Sequence, residues 1–200
     1  MKKVLLTLVV ISAMAFSNDL AFKQGTNVLN AGLNLYYLNV HQGVRPGLLA
    51  AFDHGAINNM FSFGGELGFY TERYNDLEYH SFKTNDGYES SWVKCKKDFV
   101  HISPLFRFGF HPFGIPAVEN KGFKALSAID PYVVLTAGVT IKRFAEEWTH
   151  PTLSKDKNSG ATATFAYGIK PGIRWYFNER VNLWGEGWWE YFAIGAGINF

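Results

Sequence analysis

The sequence predicts an all-β fold, an eight-stranded antiparallel up-and-down transmembrane β-barrel preceded by a cleavable signal peptide. Three observations predict it. Apolar residues alternate with small or polar residues in segment after segment, as in strands whose two faces differ. Aromatic residues make up 17% of the chain and glycine contributes 20 of its 200 residues, a combination typical of membrane barrels. After the N-terminal region, no stretch is apolar for the ~18 residues that a transmembrane helix requires.

The N-terminus has the three parts of a secretory signal peptide. Met1-Lys2-Lys3 supplies positive charge, and the apolar run that follows is too short to span a bilayer. Ala13-Met14-Ala15 then offers the small residues that a signal peptidase requires. We therefore expect a signal peptide at residues 1–15 and a barrel domain at residues 16–200. Cleavage after Ser17 and an uncleaved N-terminal anchor are the alternatives.

The first half of the chain contains four strand segments. In residues 27–40, leucines share one face and asparagines the other. The segment 48–54 is short, and its weak alternation does not assign its faces. In residues 61–72, apolar residues face one way while Glu66 faces the other, as expected for a charged side chain in the polar lumen of a small barrel. In residues 99–111, an apolar row rich in phenylalanine alternates with a polar one.

The second half of the chain adds four more strand segments. Residues 130–143 alternate valine and isoleucine with threonine and glycine. Residues 161–177 place an aromatic row opposite small and basic residues. Residues 181–187 carry Glu186, and residues 191–200 form the last strand. Eight is the smallest number of strands that bacterial outer-membrane barrels use.

The connections between these segments fit an up-and-down barrel with both termini in the periplasm. The two most polar long segments, at 73–97 and 145–159, follow the third and fifth strands and are expected to be external loops. Short turns at 55–59 and 178–180 fall on the periplasmic side, where short turns are expected. The connection at 112–128 is long for that side.

Two prolines lie inside predicted strands. A closed barrel has no edge strand on which the missing backbone donor of Pro104 or Pro171 is harmless. We therefore expect a bulge or a strand break near each of them.

Charge and cysteine content limit the possible functions. The formal net charge of +2 gives no indication of nucleic-acid binding. Cys95 is the single cysteine, so the chain must fold without an internal disulfide. The six histidines lack the close spacing or companion cysteines of a zinc site, and we expect no metal and no cofactor.

The last strand segment alternates bulky apolar side chains with small or polar ones. Phe192, Ile194, Ile198 and Phe200 share its apolar face. This pattern resembles the C-terminal strand of bacterial outer-membrane β-barrels, whose last residue is typically phenylalanine. In those families the strand is the signal that the barrel-insertion machinery recognises, so the resemblance implies the same role for these four residues.

The whole mature chain resembles the small bacterial outer-membrane β-barrel superfamily that includes the OmpA transmembrane domain, the opacity proteins and OmpW-type proteins. The signal peptide, the strand segments at 103–108 and 130–133, the segment 172–177 with its short turn, and Phe200 carry the resemblance. It implies a protein secreted through the inner membrane and integrated into the bacterial outer membrane.

Charged residues on the predicted inner face should pair with one another, because an unpaired buried charge is costly. We expect a lumen ion-pair network formed by Glu66, Arg107, Lys170, Arg174 and Glu186. The interior of an eight-stranded barrel is just wide enough for side chains to fill. A filled lumen is therefore expected, and a gated path for protons or small ions is the alternative.

Aromatic residues indicate two further features. Five near strand ends are expected at the membrane interfaces, where an apolar ring with a polar edge is favoured. They are Tyr37, Phe69, Trp175, Phe177 and Trp188. Others lie among charges in the segment 73–97, as in surfaces that make protein contacts.

We expect a monomeric barrel that is not an enzyme and that anchors surface loops for structural or adhesive interaction. Its expected partners are outer-membrane lipid, the barrel-insertion machinery and a host or surface ligand at the external loops. A narrow channel for small or apolar solutes is one alternative, and a soluble lipocalin-like, lipid-binding calyx is another. A hydrolase would need a nucleophile beside a histidine, as His101 and Ser103 on one face suggest.

Overall fold

The computed structural model describes residues 22–37, 44–112, 128–150, 156–188 and 191–200, which form a closed antiparallel barrel. Its strands are β1 (Asn27–Tyr37), β2 (Val44–Gly55), β3 (Phe61–Thr84), β4 (Gly87–Phe110), β5 (Ile129–Thr149), β6 (Asp156–Tyr176), β7 (Val181–Trp188) and β8 (Tyr191–Asn199). Each strand pairs with its neighbours along the chain, and β1 pairs with β8 to close the ring. A single 3₁₀ turn, Ile57–Asn59, joins β2 to β3. Within this described part, no helix has the length and hydropathy needed to cross a bilayer.

Along the strands, apolar side chains on the outer surface of the barrel alternate with charged or polar side chains in its interior. Four outward side chains show the pattern: Phe63 is 46% exposed, Leu67 51%, Phe108 41% and Ile194 52%. The inward Glu66 and Arg107 are buried instead. This distribution is the reverse of that in a soluble protein and is the one that a membrane barrel requires. A soluble calyx would gather the four apolar side chains in its centre, so that alternative is wrong.

The barrel wall has a short side and a tall side. Strands β1, β2, β7 and β8 have 8 to 12 residues, close to the ~9–11 that cross a bilayer. Strands β3 to β6 have 21 to 24 residues. On β3 the outward apolar row runs from Phe61 to Phe69, and the outward positions that follow begin with Thr71 and Arg73. The excess length forms a four-stranded sheet beyond the apolar band. We call it the protruding sheet, residues 70–84, 87–101, 142–149 and 156–162.

The protruding sheet corrects the prediction of two external loops. Residues 73–97 form the outer part of the β3–β4 hairpin, whose strands are joined by a two-residue turn at 85–86. Gly87 follows that turn with φ +135°, a conformation that glycine adopts readily. Of the segment 145–159, the described residues other than His150 belong to β5 and β6. Both faces of this sheet carry polar residues, so the sequence lacks the alternation that marks a strand with one apolar face.

The two prolines interrupt hydrogen bonding without changing the register. The pairing of β4 with β5 has the same register on both sides of Pro104, and only the pairs at 103–104 are missing. The expected bulge is therefore absent there, and a local break in the ladder replaces it. Pro171 lies just beyond the β6–β7 ladder, which spans Gly172 to Tyr176 on β6. Its missing donor is thus placed where pairing with β7 has ended.

The short turns lie where the sequence predicts them. The turn at 178–180 joins β6 to β7, and the Asn178 Oδ1 accepts hydrogen bonds from the backbone N–H groups of Arg180 and Val181 at 2.8 and 2.9 Å. Such side-chain capping of a turn is typical of asparagine. Most of the connection at 112–128 lies outside the described residues.

Candidate functional site: the lumen and the protruding sheet

Arg107 lies at the centre of a buried charge cluster in the lumen. Its Nη1 donates to the Glu66 Oε2 at 2.6 Å and to the Glu186 Oε1 at 3.0 Å. Its Nε donates to the Asp53 Oδ1 at 3.0 Å. The guanidinium is the side chain best suited to this arrangement, because its five donors form a rigid planar fork that can serve several carboxylates together.

Two cations of β6 extend the cluster. Lys170 donates to Glu66, and its Nζ lies 4.5 Å from the ring centroid of Tyr191. Arg174 pairs with Asp53, and its guanidinium carbon lies 4.4 Å from the ring centroid of Tyr132. Every carboxylate in this part of the lumen therefore faces at least one cation, which reduces the cost of burying charge.

The structure brings four of the five predicted lumen residues into direct contact, and it joins Arg174 to them through Asp53. Asp53 is not among the predicted lumen residues, because the segment 48–54 has too weak an alternation to assign its faces. Asp130, whose Oδ2 lies 3.5 Å from the Arg174 Nη1, is also not among them. Asp130 is the second residue of β5, where a strand pattern has only begun.

His111 and the N-terminal segment close the end of the barrel at which both described termini lie. The His111 Nδ1 lies 2.9 Å from the Asp130 Oδ1, and its Nε2 lies 3.0 Å from the Ser62 Oγ. Phe22 stacks on the His111 ring with a centroid distance of 3.9 Å. Asp130, His111 and Ser62 follow one another in the carboxylate–imidazole–hydroxyl arrangement of a catalytic triad. Ser62, however, is 0% exposed. A serine buried in this way offers no access to a substrate, so we assign the group to packing.

The predicted His101 and Ser103 lie on the inner wall but engage other residues. The His101 ring stacks on Tyr70 at a centroid distance of 4.1 Å, and its Nε2 lies 3.7 Å from the Glu72 Oε1. The Ser103 Oγ lies 2.9 Å from the Thr140 Oγ1. Neither contact activates the serine, because activation requires a base beside its hydroxyl.

The wall of the lumen near the seam between β1 and β8 is polar without charge. Asn182 donates to the Asn199 Oδ1 at 3.2 Å.

Gly32 and Gly195 are direct cross-strand partners, and a Cβ on either glycine would overlap backbone atoms of the other strand. Only residues without side chains allow so close an approach.

Three of the five predicted interfacial aromatics have described side chains, and these lie at opposite ends of the outward apolar band. Phe69 lies where β3 enters the protruding sheet. Trp175 and Phe177 lie at the end that carries the termini, with ring centroids 5.2 Å apart. Tyr37 and Trp188 belong to β1 and β7, but their side chains lie outside the described part of the structure. Their interfacial role stays a prediction.

The inner face of the protruding sheet holds a small apolar core of its own. It consists of Phe82, Val93, Cys95 and Trp148. His80 stacks on Trp148 at a centroid distance of 4.2 Å and an interplanar angle of 6°. Burial raises the pKa of the Cys95 thiol to about 11, with Glu78 adding to the effect. A buried thiol with this pKa is mostly protonated at neutral pH and therefore inert.

An ion pair lies beside this apolar core. Lys97 pairs with Glu78, whose other oxygen accepts a hydrogen bond from the Trp148 Nε1 at 3.0 Å. The hydrogen bond from Lys97 lowers the pKa of the Glu78 carboxyl. Among the described residues, no group of three histidine, cysteine, aspartate or glutamate side chains has the arrangement needed to hold a metal ion.

Comparison with known proteins identifies the fold. No family model and no curated protein matches the chain. The attachment invasion locus protein Ail of Yersinia pestis, solved with the heparin analogue sucrose octasulfate, is 11% identical over 88% of this chain and 99% of that one, with a TM-score of 0.50. The fold is that of a small bacterial outer-membrane β-barrel.

Two further solved structures are similar to this chain at lower TM-scores. OprG of Pseudomonas aeruginosa is 14% identical over 91% of this chain and 99% of that one, with a TM-score of 0.48. The N-terminal β-barrel domain of OprF from the same organism is 17% identical over 89% and 99%, with a TM-score of 0.41. The strand order and pairing of this chain confirm the predicted eight-stranded antiparallel barrel, and the signal peptide stays a prediction. The exposed apolar band requires contact with lipid, so this barrel spans a membrane, while the buried charges pair with one another in its lumen.

Proposed function

We propose that the chain is a closed, non-conducting and non-enzymatic barrel that anchors the protruding sheet for adhesive contact with a partner outside the cell. The protruding sheet is the observation that carries this proposal. It continues β3 for 14 residues beyond Tyr70, and both of its faces include exposed side chains. A bilayer-spanning barrel requires no such extension, since strands of ~9–11 residues suffice.

The packing of the lumen supports a closed barrel. Arg107 is 1% exposed, Arg174 0% and Glu186 2%. Side chains so inaccessible to water leave no column of water past them at that level, and ions require such a column. We therefore expect no unitary conductance from the refolded protein in planar bilayers, with an unrelated porin as the positive control. Discrete conductance steps would support the narrow channel instead.

The edge of β6 supports a contact that uses the backbone. β6 pairs with β5 from Asp156 to Trp175, but with β7 only from Gly172 to Tyr176. Along the rest of its length, the described residues supply no strand on the β7 side. The segment 158–167 is uncharged and contains no proline, so it lacks the residues that usually protect an edge. An extended peptide of a partner can add to such an edge as a further strand.

The comparison with Ail is consistent with an adhesive role. That protein is described as an attachment invasion locus protein. We carry only the general role of surface attachment to this chain, and its own β6 edge supplies the proposed contact.

Attachment of bacteria that express the chain tests the adhesive role. The assay uses an array of immobilised host-cell and extracellular-matrix proteins. Replacing residues 73–98 with a two-residue turn shortens the hairpin and should abolish attachment while the barrel still inserts. A double variant, Ser159→Lys with Ala161→Lys, places charge on the β6 edge and should reduce attachment at least tenfold. The matched variant, Ser81→Lys with Ser90→Lys, adds the same charge within the β3–β4 pair and should keep attachment. Equal attachment by all variants would contradict the proposal.

We also propose that Phe192, Ile194, Ile198 and Phe200 form the insertion signal and that the barrel inserts as a monomer. The last strand presents all four side chains outward, with exposures from 40% to 69%. Phe200→Ala should slow assembly into the outer membrane of living cells, whereas refolding in detergent should be unaffected. Asn199→Ala, on the inner face, is the control. N-terminal sequencing of the mature protein checks the predicted cleavage after Ala15.

A further inference from the structure

The two faces of the protruding sheet carry opposite charge. The outer face continues the lipid-facing surface of the barrel, and its charged residues are Arg73, Lys83, Lys94, Lys96, Arg143, Lys157, Asp98 and Glu147. The inner face continues the lumen wall, and its charged residues are Glu72, Asp76, Glu78, Glu89, Glu146, Asp156, Lys97 and Lys142. With histidines neutral, the outer face has a net charge of +4 and the inner face −4.

The two acids of the outer face are neutralised by neighbouring cations. Asp98 pairs with Arg73 and lies 3.2 Å from the Lys96 Nζ. The Glu147 carboxylate lies 3.3 Å from the Lys157 Nζ. In the described part of the chain, Lys83, Lys94 and Arg143 make no ion pair, and all three are exposed. The outer face therefore presents unneutralised positive charge to its surroundings.

The cations begin directly above the apolar band. Ile102 and Ile141 are cross-strand partners and the last outward isoleucines of β4 and β5 before the sheet. Arg143 is the next outward residue of β5, while Lys96 and Lys94 follow farther along β4. At a rise of ~3.3 Å per residue, these three cations lie roughly 7, 20 and 26 Å beyond the isoleucines along the strands. The strand tilt of ~35–45° reduces their heights to about three quarters of those values. An ordinary headgroup layer is only about 5–7 Å deep, so Lys96 and Lys94 lie at heights that only a larger headgroup, such as a saccharide, would reach.

An exposed aromatic pair adjoins the cations. Tyr79 and Trp92 are direct cross-strand partners on the outer face, with ring centroids 5.8 Å apart. They are 63% and 66% exposed. Neither ring is buried in the fold, and large exposed aromatic groups mark interaction sites. The faces of such rings pack against the apolar C–H face of a sugar ring, while lysine and arginine pair with its phosphates.

We propose that the outer face of the protruding sheet binds the phosphorylated saccharide headgroups of the outer-leaflet glycolipid around the barrel. Arg143 and Lys94 pair with phosphates. Lys96 pairs with a further phosphate, because its partner Asp98 also pairs with Arg73 and a positive charge is left over. Tyr79 and Trp92 contact the sugar rings. Membrane-proximal clusters of lysine and arginine bind anionic lipid headgroups in the same way. This inference goes beyond the adhesive role, because it does not use the edge of β6.

Binding of fluorescent lipopolysaccharide to the refolded full chain in a zwitterionic detergent tests the proposal. The first variant neutralises three cations with Lys94→Gln, Lys96→Gln and Arg143→Gln. Each lost charge should weaken binding about fivefold, so we expect a loss on the order of 100-fold. The matched variant with Lys94→Arg, Lys96→Arg and Arg143→Lys keeps the charges and should bind like the wild type. Trp92→Ser should weaken binding severalfold with all charges in place.

Three other probes identify what is bound. Enzymatically dephosphorylated lipopolysaccharide should bind as weakly as the neutralised variant. Phosphatidylglycerol, which is anionic without a saccharide, should bind more weakly than lipopolysaccharide and should not respond to Trp92→Ser. A soluble heparin fragment should also bind more weakly. Any one of three results would overturn the proposal. Dephosphorylated lipopolysaccharide could bind as tightly as the intact glycolipid, or heparin could bind more tightly than lipopolysaccharide. The neutralised variant could also bind lipopolysaccharide with the affinity of the wild type. Attachment to immobilised proteins is measured separately, so either proposal can fail alone.

Discussion

Four of the eight strands of the membrane-embedded barrel continue into the protruding sheet, yet the side chains of the two regions are arranged by different rules. In the barrel part of β3, Glu66 is 5% exposed and the adjacent Leu67 is 51% exposed. In the protruding part of the same strand, Leu77 is 58% exposed, but the adjacent Glu78 is only half-buried beside Lys97. The pairing of β3 with β4 continues through both parts without a change of register. Backbone pairing of β3 with β4 thus continues from the apolar band into the protruding sheet, while the kinds of side chain on each face change with the surroundings.

The two regions also differ in what their ion pairs contribute. Three carboxylates converge on Arg107 inside the lumen, where water is excluded and removing one partner leaves uncompensated charge. The pair between Lys97 and Glu78 lies in the protruding sheet, where solvent screens charge. The same kind of contact should therefore have a large effect in one region and a small effect in the other.

The largest expected effect is that of Arg107→Met. This change leaves Asp53, Glu66 and Glu186 without their shared cation, and we expect the free energy of unfolding to fall by about 3–5 kcal/mol. Urea titration of the refolded protein in lipid vesicles measures the change. Arg180→Gln, at the exposed turn between β6 and β7, removes the same charge and should change stability by less than about 0.5 kcal/mol. Similar losses for the two variants would contradict the central role of Arg107.

A matched pair of arginine substitutions compares a lipid-facing position with a water-facing position on the same strand. Leu67→Arg places a charge near the middle of the apolar band and should cost about 2–4 kcal/mol of stability. Leu77→Arg makes the same change on the same face of the same strand, beyond the band, and should cost less than about 0.5 kcal/mol. Urea titration in vesicles measures both. Equal costs would show that Leu67 does not face lipid.

The reactivity of Cys95 tests whether the protruding sheet has a stable core. Burial raises the pKa of its thiol to about 11, against ~8.5 for a free cysteine, so the thiolate fraction at pH 8 falls on the order of 100-fold. Iodoacetamide should therefore label the folded protein at least that much more slowly than the urea-unfolded chain, as followed by mass spectrometry. Trp148→Ala, which opens the cluster, should restore much of the rate. Fast labelling of the folded wild type would show that the cluster opens readily.

The smallest expected effect is the pH dependence of the ion pair beside that core. Because the hydrogen bond from Lys97 holds the pKa of Glu78 in the folded chain below its ordinary value of 4.5, the contribution of the pair to stability is present above that value and is lost as the pH falls through the folded pKa. Acidification from pH 5 to pH 3 should reduce the hydrogen-exchange protection of amides at 75–79 by at most about 1 kcal/mol. Glu78→Gln should remove this pH dependence. A protection that does not change with pH in the wild type would show that the pair adds no stability.

The sequence predicts the barrel well, because lipid on one side and a polar lumen on the other produce a period of two in every strand segment except 48–54. It does not predict the protruding sheet, because water on both sides removes that period from 73–97. The same alternation assigns five charged residues to the inner faces of their strands and so predicts that they lie in the lumen. The missed Asp53 lies where small residues obscure the faces, and the contact of His111 with Asp130 depends on a register that periodicity alone does not give.

The paired glycines Gly32 and Gly195 have a consequence for how the ring is completed. They lie on the first and last strands, so their contact has one of the largest sequence separations in the molecule. Contacts between distant parts of a chain are slow to form, because a long loop must close first. We expect the pairing of β1 with β8 to be the final step of folding. Gly195→Ala should therefore leave the barrel open, with β1 and β8 unpaired. The close contact of β1 with β8 at these two glycines thus determines whether the barrel can close.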